Sequence, residues 1–128
     1  MWKTKNLYAF VLVVVSITIL SCNSNKISWI STTDWKKDYK GCTGYRASLI
    51  PVLKLKKDEL LDKTDAFFFH TLGKANRVSY SERGKKIFYY YLTPAGQCDN
   101  LSGKTQSLTI EFEALGTSRL LYLEEVQP

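Results

Sequence analysis

The chain has 128 residues, with 18 lysines and arginines against 12 aspartates and glutamates for a net charge of +6. That length suits one compact domain rather than two. A nucleic-acid footprint is excluded because the basic knot Lys54, Lys56 and Lys57 is interleaved with Asp58, Glu59 and Asp62, so no broad basic face forms.

The chain opens with Lys3 and Lys5 and no acid before an apolar run from Leu7 to Leu20, the pattern of an export signal. Those 14 residues would rise only about 21 Å as a helix, short of the ~30 Å hydrocarbon core of a bilayer. The run ends Ile19-Leu20-Ser21-Cys22, which resembles the lipobox of bacterial lipoprotein precursors. The resemblance implies cleavage after residue 21 and acylation (palmitate-type chains) of Cys22, which would anchor the protein firmly to a membrane. Asn23 rather than Asp follows the cysteine. By the same resemblance, this favours the outer membrane of a two-membrane cell, on either its periplasmic or its surface face. Loss of Lys3 and Lys5 with the signal leaves 16 bases against 12 acids, a charge of +4. The expected organisation is a signal peptide over 1–21, a lipidated cysteine and short tether over 22–30, and a single domain over 31–126.

Ser31 to Asp34 offer capping residues for a helical segment near Trp35. Tyr45, Leu49, Val52 and Leu53 then recur at helical spacing, and Pro51 should kink or end that helix. Thr64 and Asp65 open a second helix as N-cap and first-turn acid. Phe68, Phe69 and Leu72 should share its apolar face, with Phe67 at its edge near the first helix, and Gly73 should stop it. Beyond Asn76 the pattern changes to alternation, with Val78 and Tyr80 on one side and Ser79 and Ser81 on the other. Glu82 to Lys85 reads as a hairpin turn, followed by a strand from Ile87 to Leu92 and a loop from Pro94 to Lys104. Leu108, Ile110 and Phe112 alternate with Thr109, Glu111 and Glu113 as a half-buried strand, and a last strand runs from Arg119 to Glu125. The expected fold class is α+β, with two N-terminal helices on one face of a three- to four-stranded antiparallel meander sheet.

With Cys22 acylated, Cys42 and Cys98 remain in an exported chain, where a disulfide can persist. Their pairing would close a loop of about 55 residues and stabilise by on the order of 4 kcal/mol. A metal or redox centre is not expected, since there is no Cys-x-x-Cys and the chain has a single histidine.

The segment Leu61-Asp62-Lys63-Thr64 through Leu72-Gly73-Lys74 resembles the Leu-x-Gly-Lys/Met-Thr … Leu-Gly-x-Pro signature of the BamE (SmpA/OmlA) lipoproteins, with Asp62 at the family's Gly and Ala75 at its Pro. The likeness spans about residues 34–124. It implies a helix-pair-on-sheet domain at the outer membrane, acting as an accessory of the machinery that inserts β-barrel proteins.

Catalytic candidates are few: His70 beside Phe69, and Glu111 with Glu113 on one strand face. Both read better as surface residues, so no enzyme, cofactor, metal or small-molecule substrate is expected. In Ile87 to Leu92 every position is apolar or aromatic, so Ile87, Tyr89 and Tyr91 cannot face the helices together with Phe88, Tyr90 and Leu92. Either the lead-in carrying Trp29 covers the second face, or an aromatic patch drawn from Phe88, Tyr89, Tyr90, Tyr91 and Tyr122 awaits a protein partner. The expected role is a non-catalytic, lipid-anchored binding or assembly module with a membrane and an envelope protein as partners. The alternative is an inhibitor or binder of a periplasmic or surface enzyme or glycan.

Overall fold

The computed structural model describes residues 26–128; the apolar run read as an export signal and Cys22 lie outside them. The helical layer is more broken than the spacing predicts. It comprises α1 (Thr32–Lys37), α2 (Tyr45–Ser48), α3 (Ile50–Lys56) running into a 3-10 helix (Lys57–Leu60), and α4 (Asp65–Leu72). Ser31 caps α1 by accepting from the Asp34 amide, and Thr64 caps α4 by accepting from the Phe67 amide at 3.1 Å. Pro51 begins a helix instead of ending one. It stands in the first turn of α3, where a missing N–H breaks no intrahelical bond, and the break falls at Leu49. On α4 the buried residues are Phe68, Thr71 and Leu72, while Phe69 is 57% exposed. The expectation that Phe69 shares the buried face is therefore corrected. Gly73 closes α4 at φ +79.

Four antiparallel strands follow: β1 (Arg77–Tyr80), β2 (Lys86–Tyr91), β3 (Thr105–Phe112) and β4 (Ser118–Val126), in spatial order β1-β2-β3-β4. The architecture is an α+β mix. Register decides the faces. Phe88 stands opposite Ile110, and Ile110 opposite Leu121; Tyr90, Leu108 and Leu123 make the next row. That face packs on Trp35, Leu53, Leu60, Phe68 and Leu72 of the helical layer, with Phe112 edge-on to both Phe68 and Phe88. Each such side chain removed from water contributes roughly 1.5–3 kcal/mol. Ile27 and Ile30 are buried in the same core, so the domain starts four residues before the expected boundary at 31.

At the junction of the two layers lies a fully buried arginine. Arg46 donates through Nε to the Trp35 carbonyl at 3.1 Å, and through one Nη to Asn76 Oδ1 at 3.0 Å and to the Tyr91 carbonyl at 3.2 Å. Its guanidinium also lies 4.4 Å from the centre of the Trp35 ring. Burial pushes it down to about 10 and Asp38 pulls it back, so it is a cation at neutral pH. Asp38 is itself buried, and its carboxylate accepts from the backbone amides of Thr43 and Arg46, both at 2.9 Å. It thereby caps α2, which has no side-chain cap of its own. Burial opposes its ionisation, but those two amides and the Arg46 charge outweigh this and hold the carboxyl below its ordinary range. Gly41 completes the junction. Its φ is +71, and a Cβ there would stand 2.7 Å from the Tyr91 carbonyl oxygen.

Cys42 and Cys98 form a disulfide that ties the loop after α1 to the loop after β2. Alongside it, Gln97 Nε2 donates to the Lys40 carbonyl at 3.0 Å and to the Thr93 carbonyl at 2.7 Å.

Reduction should lower stability by up to about 4 kcal/mol, because the cystine closes a loop with a sequence separation of 56; urea unfolding with and without reductant measures this. Arg46→Ala should cost about 3–5 kcal/mol in the same assay, since it takes the donor from the Trp35 and Tyr91 carbonyls and empties the space over the Trp35 ring. A carboxyl held below its unfolded pKa stabilises above that pKa, and the contribution is lost as pH falls through the folded value. The stability difference between the wild type and Asp38→Asn should therefore be full at neutral pH and shrink below about pH 4. A difference that stays constant down to the acid limit would contradict this assignment.

Candidate functional site

The register that puts Phe88 and Tyr90 on the helical face puts Ile87, Tyr89 and Tyr91 on the other, in line with Ser107, Thr109, Glu111, Leu120, Tyr122 and Glu124. The expected aromatic patch is thus divided. Tyr90 is fully buried and donates to the Gly73 carbonyl at 3.0 Å. Phe88 packs against the core. Neither belongs to the sheet face that carries Tyr89 and Tyr122. Tyr91 is on the outer face but buried. Tyr89 and Tyr122 remain half-buried there, flanking Thr109 on adjoining strands, with Leu120 50% exposed beside them.

The lead-in does not cover this face. Ile27 and Ile30 enter the core, and Trp29 packs against that core and donates to Glu59 at 3.0 Å. Trp29 and Phe67 line one groove with Leu60 and Lys63, so the lead-in lies against the helical layer. The alternative that Trp29 folds over the second sheet face is overturned.

What organises the outer face is polar pairing beneath an aromatic surface. The Tyr122 hydroxyl donates to Glu111 at 2.9 Å, Thr109 donates to Glu124 at 2.8 Å, and Ser79 reaches the Tyr89 hydroxyl at 3.3 Å. The Arg77 guanidinium stacks 4.1 Å from the Tyr89 ring centre and donates to the Gln127 carbonyl at 2.9 Å. Burial raises the Tyr122 phenol above its ordinary range, and the Glu111 hydrogen bond and the Glu111 and Glu124 charges add to it. Ser107 and Thr109 are fully buried, which corrects the reading of β3 as open to water on its second side. The signal that could have found this is compositional: short hydroxyl side chains between flanking tyrosines let the neighbours close over them.

The catalytic candidates are dispersed. Glu111 takes the Tyr122 hydroxyl, whereas Glu113 lies past the end of β3 and pairs with Arg119 at 2.7 Å across the turn. A register shift between Glu111 and Phe112 interrupts the alternation that would put them on one face. His70 is exposed, its ring edge-on to Phe69. Among the described residues no group of three or more histidines, cysteines, aspartates or glutamates could hold a metal ion, and no helix is long and apolar enough to cross a membrane. Cys22 lies outside the described residues.

The fold and site together define a class: a small disulfide-tied α+β domain whose sheet carries a tyrosine-rich outer face. No protein-family model, curated protein or solved structure matches the chain.

The assignment predicts that Tyr122 ionises later than an unperturbed tyrosine in a titration followed by ultraviolet absorbance, and earlier in Glu111→Gln than in the wild type. An acid raised on folding stabilises below its unfolded pKa, so this contribution should fade only as pH rises above about 10. An unchanged Tyr122 transition in Glu111→Gln would refute the pairing.

Proposed function

We propose that the protein is a lipid-anchored lipoprotein of the cell envelope, whose domain is a non-catalytic protein-binding or assembly module at the outer membrane. The observation that carries this is the sequence Ile19-Leu20-Ser21-Cys22 at the end of the apolar run. Because Ile27 is buried in the core, only residues 23–26 separate the acylated cysteine from the folded unit. A fully extended chain rises at most ~3.6 Å per residue, so the domain would sit within about 18 Å of its anchor.

The outer face supports a binding role. Half-buried tyrosines next to exposed Leu120 provide rigid amphipathic contact area.

We further propose that the module is BamE-like and serves the assembly of outer-membrane β-barrel proteins. Support comes from Asp62, which occupies the family's Gly position and has φ +59, a left-handed conformation that favours glycine and tolerates aspartate. Its amide donates to the Ser118 carbonyl at 2.9 Å, and Ser118 Oγ donates to the Leu60 carbonyl at 2.7 Å. The Leu61–Thr64 segment is thereby locked to the start of β4.

Cys22→Ala should move the protein from the membrane to the soluble fraction and remove the acyl mass from its mature N-terminus. A wild-type chain whose mature mass carries no acyl groups would sink the anchor reading. A photo-crosslinker at Leu120 in intact cells should capture a defined envelope protein; capture of water alone would count against the binding role of the outer face. Asp62→Gly should leave stability equal or higher, and Asp62→Val should cost roughly 1–2 kcal/mol, as read from thermal unfolding.

A further inference from the structure

The spatial order β1-β2-β3-β4 leaves two sheet edges, one along β1 and one along β4, and they are treated differently. At β4 the backbone of Asp62 and Lys63 bonds to Ser118, a bulge sits opposite Glu111 and Phe112, and Glu124 and Glu125 put charge near the far end. These are the devices by which sheets discourage further pairing. Within β1, Arg-Val-Ser-Tyr, there is no proline, lysine or bulge.

The phase of the β1–β2 ladder is set by the Ser81 amide, which donates to the Lys85 carbonyl at 2.9 Å. Antiparallel pairing alternates, so Ser79 and Arg77 bond inward to β2, while the amides and carbonyls of Val78 and Tyr80 point out from the edge. The same two residues are unusually open for their type, at 42% and 68% exposed. They lie on the sheet face shared with Phe88. Phe88, Ala66, exposed Phe69, His70 and Asp65 line a groove of about 310 Å³ between α4 and the sheet. An unprotected edge and an apolar groove therefore run side by side.

We propose that this edge and groove take an extended, acidic segment of a partner protein as a fifth strand, with its alternate apolar side chains seated against Phe69 and Phe88. Charge selects this occupant over a second copy of the chain. Residues 74–86 hold five basic side chains, Lys74, Arg77, Arg83, Lys85 and Lys86, and one acid, Glu82. Among the described residues only Lys86 of these has an ion-pair partner, Asp65 at 2.6 Å. Pairing two β1 edges would bring like charges together, whereas an acidic strand meets complementary ones. The inference deepens the reading of the domain as a protein-binding module, and it needs neither the lipid anchor nor the tyrosine face.

The test uses the full chain in detergent micelles and a capped peptide alternating glutamate with valine. Binding should slow hydrogen exchange at the Val78 and Tyr80 amides by about tenfold or more and leave the ladder amides of β3 unchanged. Val78→Pro deletes an outward N–H that no ladder bond uses, and should weaken the peptide about tenfold or more, equivalent to ~1.4 kcal/mol. Phe69→Glu alters an exposed position and should do the same, which keeps the test decisive if the proline variant does not fold. Peptide binding without slowing at Val78 and Tyr80, equal binding of a lysine–valine peptide, or a dimer formed through β1 would each overturn the proposal. Cys22→Ala should bind the peptide as the wild type does, so failure of the anchor and failure of this site are separate results.

Discussion

The Arg46 guanidinium donates to a carbonyl at the end of α1, to Asn76 ahead of β1 and to a carbonyl at the end of β2, with the Trp35 ring beneath it. A cation without water is costly, on the order of several kcal/mol, and here Nε and one Nη are occupied by hydrogen bonds while the Trp35 ring face supports the group, the second Nη having no hydrogen-bond partner. The geometry is therefore mutual. The carbonyls need a donor because α1 ends before an amide can reach Trp35 and β1 begins only opposite Tyr89, and the arginine needs them because it is buried. Asn76 extends the set: its Oδ1 also accepts from the Tyr91 amide, and its Nδ2 donates to the Tyr39 carbonyl. Helical layer and sheet are thus joined by directional bonds as well as by apolar contact, and this fixes which face of β2 looks inward.

From that constraint the outer face follows. Once Tyr90 is committed to the interior beside Arg46 and Trp35, strand alternation sends Tyr89 and Tyr91 outward. Register then lines Tyr89 up with Thr109 and Tyr122. The tyrosine surface is in this sense a by-product of how the core is closed, and the acids beneath it supply acceptors, Glu111 to the half-buried Tyr122 of β4 and Glu124 to the buried Thr109 of β3.

Features encoded within one turn were legible in the sequence. Thr64 and Asp65 with Gly73 marked α4, Glu82 to Lys85 marked the hairpin, and Leu108, Ile110 and Phe112 marked the inner face of β3. The pairing of Cys42 with Cys98 was legible by elimination. Arg46 was not: on a helix read through Tyr45, Leu49, Val52 and Leu53 an arginine looks solvated, and only contacts 30 to 45 residues away make it interior. Pro51 misled for a related reason, since the residue that breaks one helix also suits the first turn of the next. The inner face of Ile87 to Leu92 could not be chosen locally, because both faces carry aromatic residues and the choice is made by Asn76, Arg46 and Gly73 from elsewhere in the chain.

The lead-in gives the domain a direction. Ile27, Ile30 and Trp29 enter against the helical layer, so a tether of four residues would pull that layer, and not the sheet, toward whatever holds residue 22. Held this way the body could not tumble freely. Under the proposed anchor its sheet would turn away from the lipid like a tile set face outward, and a partner arriving through the aqueous space would meet the tyrosines without having to displace the bilayer.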